Sequence, residues 1–177
     1  MRVLLTTAVC LGLLAGCLGS GGRLTLRLTD APDAIGDFAA LPVTISQILV
    51  TKKGSEGETG PEASARTELT PGTASYDLTA LVGNATTLFS GTLEPGTYGR
   101  IDLLIGNEIE GTLRDGATVD VGVPSGRVFL LQEFTIEEGA ETDFLFDVDV
   151  HREGDGDYIL KPNASGSGPG KQAPAEG

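Results

Sequence analysis

Apolar and polar residues alternate along most of this chain with a period of two. Leu24, Leu26 and Leu28 alternate with Arg23, Thr25, Arg27 and Thr29, which sets the leucines on one face of an extended strand. Ile101, Leu103 and Ile105 predict another strand, and Val119, Val121 and Val123 a further one ending at Pro124. Phe144, Phe146, Val148 and Val150 line one face of a strand whose other face carries Asp143, Asp147 and Asp149. Val43 and Ile45 open a run whose apolar face changes sides at Ile48 to Val50, as a β-bulge would cause. Val128 to Leu131 and Phe134 to Ile136 predict short paired strands.

Turn chemistry separates these runs. Glu94-Pro95-Gly96-Thr97 has Pro to fix φ and Gly to accept positive φ, the requirement of a type II turn. Arg114-Asp115-Gly116 and Pro124-Ser125-Gly126 punctuate in the same way, and Glu153 to Asp157 closes a hairpin into Tyr158-Ile159-Leu160. Gly54 to Ser75 is rich in Gly, Glu, Thr and Pro and reads as a long surface loop. Helix signals are nearly absent, with room for one short turn in Tyr76 to Val82. Roughly seven to nine short strands at this spacing predict an all-β fold: an antiparallel Greek-key β-sandwich, immunoglobulin-like or transthyretin-like. A closed barrel is the alternative.

The first residues follow a different pattern. Arg2 precedes an almost unbroken apolar run from Val3 to Leu14, within the ~7–15 residues of a signal-peptide core and short of the ~20 that span a bilayer. It ends at Leu14-Ala15-Gly16-Cys17, which resembles the lipobox of bacterial and archaeal lipoproteins. The expected organisation is a lipoprotein signal peptide at residues 1–16, a lipidated Gly/Ser tether at 17–22, a β-sandwich domain at 23–163 and a disordered tail at 164–177. The tail is expected because composition there collapses to Gly, Ser, Pro and Ala without apolar periodicity. Cys17 is the lipid acceptor. No twin-arginine pair precedes the run, so the general secretory route is expected.

Charge and cysteines narrow the partners. Cys10 leaves with the signal, so Cys17 is the sole mature cysteine and no internal disulfide can form. The full chain carries 25 acidic against 12 basic residues, and loss of Arg2 makes the mature chain more acidic still. Nucleic acid and anionic lipid headgroups are therefore disfavoured as partners. Acids spread along the whole length resemble the surface of a protein from a salt-loving organism, where high salt screens their repulsion.

The order of segments carries a family resemblance. Leu28-Thr29-Asp30-Ala31-Pro32 is followed by Val43-Thr44-Ile45, Tyr76-Asp77-Leu78-Thr79-Ala80-Leu81 and Leu93-Glu94-Pro95-Gly96-Thr97-Tyr98. Then come Val123-Pro124-Ser125-Gly126, Phe146-Asp147-Val148-Asp149 and Tyr158-Ile159-Leu160-Lys161-Pro162. From Gly22 to Asn163 this series resembles the domain-of-unknown-function 4382 family of archaeal and bacterial lipoproteins. The resemblance implies an exported β-sandwich similar to carbohydrate-binding or transthyretin-like sandwiches, and it implies no activity.

No catalytic constellation is legible. His151 is the one histidine; it stands beside Arg152 at an acidic hairpin and reads as a solvated loop residue. No Gly-x-Ser-x-Gly elbow and no set of His or Cys zinc ligands occurs. Aromatics make up 5% of residues, too few for the stacking platforms of a sugar-cleaving site. Calcium is the most credible inorganic partner, since hard cations take several oxygens. Its weak candidates are Asp30, Asp33 and Asp37 in one loop, Asp147 and Asp149 on one strand face, and Asp155 and Asp157 in the hairpin; solvated surface acids are the bland reading. Asn84-Ala85-Thr86 and Asn163-Ala164-Ser165 are glycosylation sequons. The expected function is a non-catalytic binding or structural domain, lipid-anchored on the extracytoplasmic face, with a glycan or protein ligand. A carboxylate-dependent surface hydrolase and a cell-envelope assembly subunit are the alternatives.

Overall fold

The structure is a computed structural model and describes residues 21–53, 66–69 and 72–173. Over these residues the chain is all-β, with 3-10 turns as its helical content. No helix among the described residues is long and apolar enough to cross a membrane. The larger sheet runs in the order β2 (Phe38–Ala40), β9 (Glu108–Leu113), β10 (Thr118–Gly122), β14 (Tyr158–Pro162), β13 (Glu141–Arg152), β1 (Gly22–Asp30) and β7 (Thr86–Leu93). A short β15 (Gly168–Pro169) also pairs with β13. The smaller sheet runs β11 (Arg127–Leu130), β8 (Gly96–Leu104), β4 (Gln47–Lys52), β5 (Arg66–Leu69), with β12 (Phe134–Ile136) on β8. A separate pair joins β3 (Pro42–Ile45) to β6 (Ala74–Asp77).

The sheets are mixed, and this corrects the purely antiparallel expectation. β1 pairs with β13 in parallel, from Arg23 opposite Glu141 to Asp30 opposite Val148. β10 pairs with β14 in parallel as well. Alternation along a strand reports which side chains face inward, but it is blind to the direction of the neighbour. Both parallel pairs join strands far apart in sequence, which no turn motif announces.

One apolar cluster lies beneath both sheets. Leu24, Leu26 and Leu28 of β1 and Phe144, Phe146 and Val148 of β13 are at most 2% exposed, as the period-two pattern predicts. The smaller sheet contributes Ile48, Val50, Tyr98, Ile101 and Leu103. Phe134 bridges the layers: its ring stacks on Tyr98 at 5.4 Å and meets Phe144 of the larger sheet at 5.0 Å.

The face change expected as a bulge near Ile48 has another cause. The chain leaves one sheet at Ile45 and enters another at Gln47, with Ser46 between them donating from N to Leu104 O at 2.8 Å. The turns behave as their residues demand. Gly96 takes φ +145 where the chain crosses from β7 to β8, and Gly116 takes φ +89 in the β9–β10 hairpin. Leu78–Ala80 forms a 3-10 turn capped by Asp77, whose Oδ1 accepts from Thr79 N at 3.1 Å.

The segment after Pro162 differs most from expectation. Residues 163–173 fold back along β13 rather than trailing away. Asn163 N donates to Asp147 O at 2.9 Å, and Ser167 Oγ accepts from Asp147 N at 2.9 Å. Gly170 N donates to Asp143 O at 2.9 Å, while Arg27 donates to both oxygens of Asp143 and to Lys171 O. Composition concealed this because the docking uses backbone groups, small side chains and one arginine fork, none of which leaves a hydrophobic signature. Gly166 lies against Asp147, where a Cβ would stand 1.9 Å from Oδ2.

Ser167 is 1% exposed, so Ser167→Ala leaves the Asp147 N–H buried without an acceptor. The expected cost is about 1–3 kcal/mol, read as a lowered midpoint in urea with an unchanged slope. A variant with the wild-type midpoint would show that this segment does not hold β13.

Candidate functional site

Because β1 and β13 are parallel, Asp30 and Arg152 finish at the same end of the larger sheet, opposite Gly22 and Glu141. Several acids lie towards that end. Asp30 sits in register with Val148, between the flanking residues Asp147 and Asp149 of the neighbouring strand. The loop after β1 brings Asp33 to within 3.8 Å of His151 Nδ1. Ligand atoms of Asp33, Asp149 and His151 all lie within 4.8 Å of one another. The β13–β14 hairpin carries Asp155 and Asp157, both exposed.

Burial separates these acids sharply. Asp30 is 0% and Asp147 1% exposed, whereas Asp33, Asp37, Asp155 and Asp157 face solvent. Asp147 is shut in because Asn163, Gly166 and Ser167 lie over the polar face of β13. Its Oδ2 accepts from Asn163 Nδ2 at 2.8 Å. Its Oδ1, both oxygens of Asp30 and Oδ1 of Asp149 are buried with no hydrogen-bond partner among the described residues. Thr29, opposite Asp147, turns its hydroxyl to Leu81 O at 3.1 Å and Asn84 O at 2.6 Å.

The electrostatic consequence follows from desolvation. Burial, reinforced by the charges of Asp147 and Asp149, pushes the Asp30 carboxyl up to about 9. Burial raises Asp147 to about 6, with the Asn163 hydrogen bond opposing and Asp149 adding. Asp149 is raised by burial and by Asp33, against the pull of His151 and Lys161.

Of the acids expected as calcium ligands, the structure brings Asp33 and Asp149 together; Asp147 shares the face of β13 with Asp149, whereas Asp30 is in register with the core residue Val148 and so lies on the other face. Asp37 is directed elsewhere: it accepts from Tyr158 Oη at 2.8 Å and approaches Arg152 at 4.0 Å. Asp155 and Asp157 stay apart in their hairpin. His151, read from sequence as a solvated loop residue, ends strand β13 and belongs to the cluster. The alternation of Asp147, Asp149 and His151 was the available signal, since period two puts all three on one strand face. A cleft of about 230 Å³ adjoins Asp33, lined also by Ile35, Thr79, Val82 and Arg114. Asn84 is exposed, while the Asn163 amide is held by Asp147, Ser165 and Gly166. Cys17 and residues 1–16, expected as a signal peptide, lie outside the described residues.

A mixed β-domain of two larger sheets and a two-stranded pair, with Asp33, Asp149 and His151 meeting at one end, defines the class. The chain belongs to the family described as Domain of unknown function (DUF4382), whose match spans residues 21–162. Comparison with curated proteins returns no match, and comparison with solved structures returns none.

The raised carboxyls set the sign of the pH dependence. Between the unfolded value near 3.8 and the folded values of about 6 for Asp147 and about 9 for Asp30, the folded chain holds protons that the unfolded chain has lost. Stability contributed by these groups is complete below pH 4 and is lost as pH rises through those values. In chelator at fixed ionic strength, Asp30→Asn should flatten the decline of unfolding free energy between pH 5 and 9. A variant with the wild-type slope would exclude Asp30 as its source.

Proposed function

We propose that this protein is a lipid-anchored domain of the extracytoplasmic membrane face, non-catalytic, whose exposed acidic end engages a partner. The observation that carries the reading is positional. The lipobox-like Leu14-Ala15-Gly16-Cys17 ends five residues before Gly22, where β1 begins. A chain that short reaches at most about 18 Å, so the end of the sheet holding Gly22 faces the bilayer and the acidic end faces outward. Two acyl chains on one cysteine hold a protein stably where one holds it marginally. Headgroups offer this acidic chain no electrostatic help.

The cleft beside Asp33 has Asp33 as its one carboxylate, with Arg114 in the same wall. That composition suits recognition of a polar ligand, such as a glycan or a protein loop, better than the paired acids a hydrolase would need. Of the two sequons, Asn84 is the one we assign as an acceptor, because its side chain is exposed. Modification at Asn163 would displace the amide donor of the buried Asp147.

Cys17→Ser is expected to shift the protein from the membrane fraction to the soluble fraction, folded by circular dichroism. Retention on membranes after signal cleavage would refute the anchor. Peptide mass mapping of protein from its native host should find any glycan on Asn84 and none on Asn163. A glycan on Asn163 of folded protein would contradict the assignment.

A further inference from the structure

We propose that the cleft beside Asp33 is a subsite for one uronic acid residue of a glycan, with Arg114 holding the carboxylate of the sugar. This names a ligand class for the cleft and rests on the reading that the cleft recognises a polar ligand.

Three segments build the cleft and are tied to one another. Pro32, Asp33, Ile35 and Gly36 come from the loop after β1, Thr79 and Val82 from the turn before β7, and Arg114 from the β9–β10 turn. Val82 forms a parallel bridge with Asp30, and the buried Thr29 hydroxyl holds the same turn through Leu81 O. On the other side, Arg114 N donates to Asp37 O at 2.9 Å, and Arg114 Nε donates to Gly36 O at 2.5 Å. These bonds set the walls before any ligand arrives.

The polar groups of the lining differ in what they can still do. Arg114 spends its Nε on Gly36, and no carboxylate lies in salt-bridge range of its guanidinium among the described residues. That is notable in a chain with 25 acidic and 12 basic residues. Two acids close to the cleft in sequence are engaged elsewhere: Asp37 accepts from Tyr158 Oη, and Asp115 Oδ1 accepts from Ala117 N. The terminal nitrogens of a guanidinium match the two oxygens of a carboxylate. The other polar lining side chains are acceptors. Asp33 is a carboxylate, and Thr79 donates its hydroxyl proton to Asp77 Oδ1 at 2.8 Å, which leaves its lone pairs.

A ligand that suits one such fork and two acceptors carries a carboxylate and hydroxyls. Pro32, Ile35 and Val82 add apolar surface for the C–H face of a ring. The volume of about 230 Å³ is below the ~300–1,000 Å³ of a drug-sized pocket and has room for one sugar ring. The acidic chain opposes an anion at long range, but salt screens that repulsion more than it screens a contact inside a cleft.

The test uses the mature chain carrying Cys17→Ser, isotope-labelled, at neutral pH and high ionic strength. Methyl β-D-glucuronide and methyl β-D-glucoside differ in the carboxylate alone, and each is titrated while backbone amide resonances are followed. The glucuronide should shift Gly36, Thr79 and Val82 and bind at least tenfold more tightly than the glucoside. Arg114→Met should erase that preference while the glucoside binds as weakly as before, which separates lost carboxylate recognition from a lost cleft. Arg114 is exposed, so the variant is expected to fold, and its amide spectrum checks this. Equal binding of the two sugars, or a preference that survives Arg114→Met, would overturn the uronic acid assignment and leave glycan recognition standing. Loss of both sugars by folded Arg114→Met would overturn the role given to its guanidinium, and tighter binding of alanine than of the glucuronide would overturn the sugar class. Binding of neither sugar at tens of millimolar would overturn the subsite, and an array of neutral and acidic glycans then reads separately whether the broader reading falls with it.

Discussion

The parallel pairing of β1 with β13 is the constraint on which the rest of the domain depends. It spans eight residues on each strand and joins the first described strand to one close to the end of the family match. A strand in parallel contact within a sheet is generally covered on both faces, and β13 obeys: Phe144, Leu145, Phe146, Asp147 and Val148 are all buried in succession. One face packs into the core. The other requires a cover, and residues 163–170 supply it. Where β14 ends and β15 has not begun, the edge of β13 would lie open at Asp147. Asn163 N and Ser167 Oγ close that gap, standing in for the missing ladder bonds.

The same cover creates the electrostatic problem at the acidic end. The smaller sheet shows how this domain treats a buried carboxylate that serves structure. Asp102 on β8 is 0% exposed, and Arg100 grips both of its oxygens at 2.7 and 2.6 Å, with Arg127 at 3.8 Å. The aromatic ring of Phe129 lies 4.2 Å from the Arg100 guanidinium and helps exclude water. Asp30 and Asp147 are as deeply buried, yet neither has an arginine or lysine in salt-bridge range among the described residues. Leaving an unpaired carboxylate in such a place costs several kcal/mol, so protonation or an external cation must relieve it.

Period-two patterning made the strands and their inward faces legible, because side-chain alternation is local and survives in any neighbour context. It read β1, β8 and β13 well, and the turn residues located Gly96, Gly116 and the β13–β14 hairpin. Strand direction was not legible, since the parallel partners lie 37 positions apart in β10 and β14 and 118 apart in β1 and β13. The change of face at Ile48 was visible, but bulge and sheet switch share that signature, and only the pairing of β3 with β6 distinguishes them. The acids of the site were visible as types. Their grouping was not, because Asp33 meets Asp149 and His151 through the β1–β13 register. The docked segment after Pro162 was invisible for the opposite reason: Gly166 acts by being small and Ser167 through its hydroxyl, and composition reads both as disorder.

The placement of the cations completes the argument. Arg27 serves Asp143, Lys52 serves Glu94, Lys53 serves Glu133 and Lys161 serves Glu153. With only 12 basic residues in the whole chain, each such pair draws on a small stock. Surface pairs of this kind contribute little stability, whereas a cation beside Asp147 would relieve a much larger desolvation cost. The acidic end receives exposed His151 beside Asp33, Arg152 near Asp37 and Lys161 opposite Asp149 on β14, none of them in salt-bridge range of Asp30 or Asp147 among the described residues. Had this cluster been a purely structural arrangement, the solution built around Asp102 was available to it. Its absence next to Asp30 and Asp147 leaves the two carboxyls to protonation, which is why burial raises both of them.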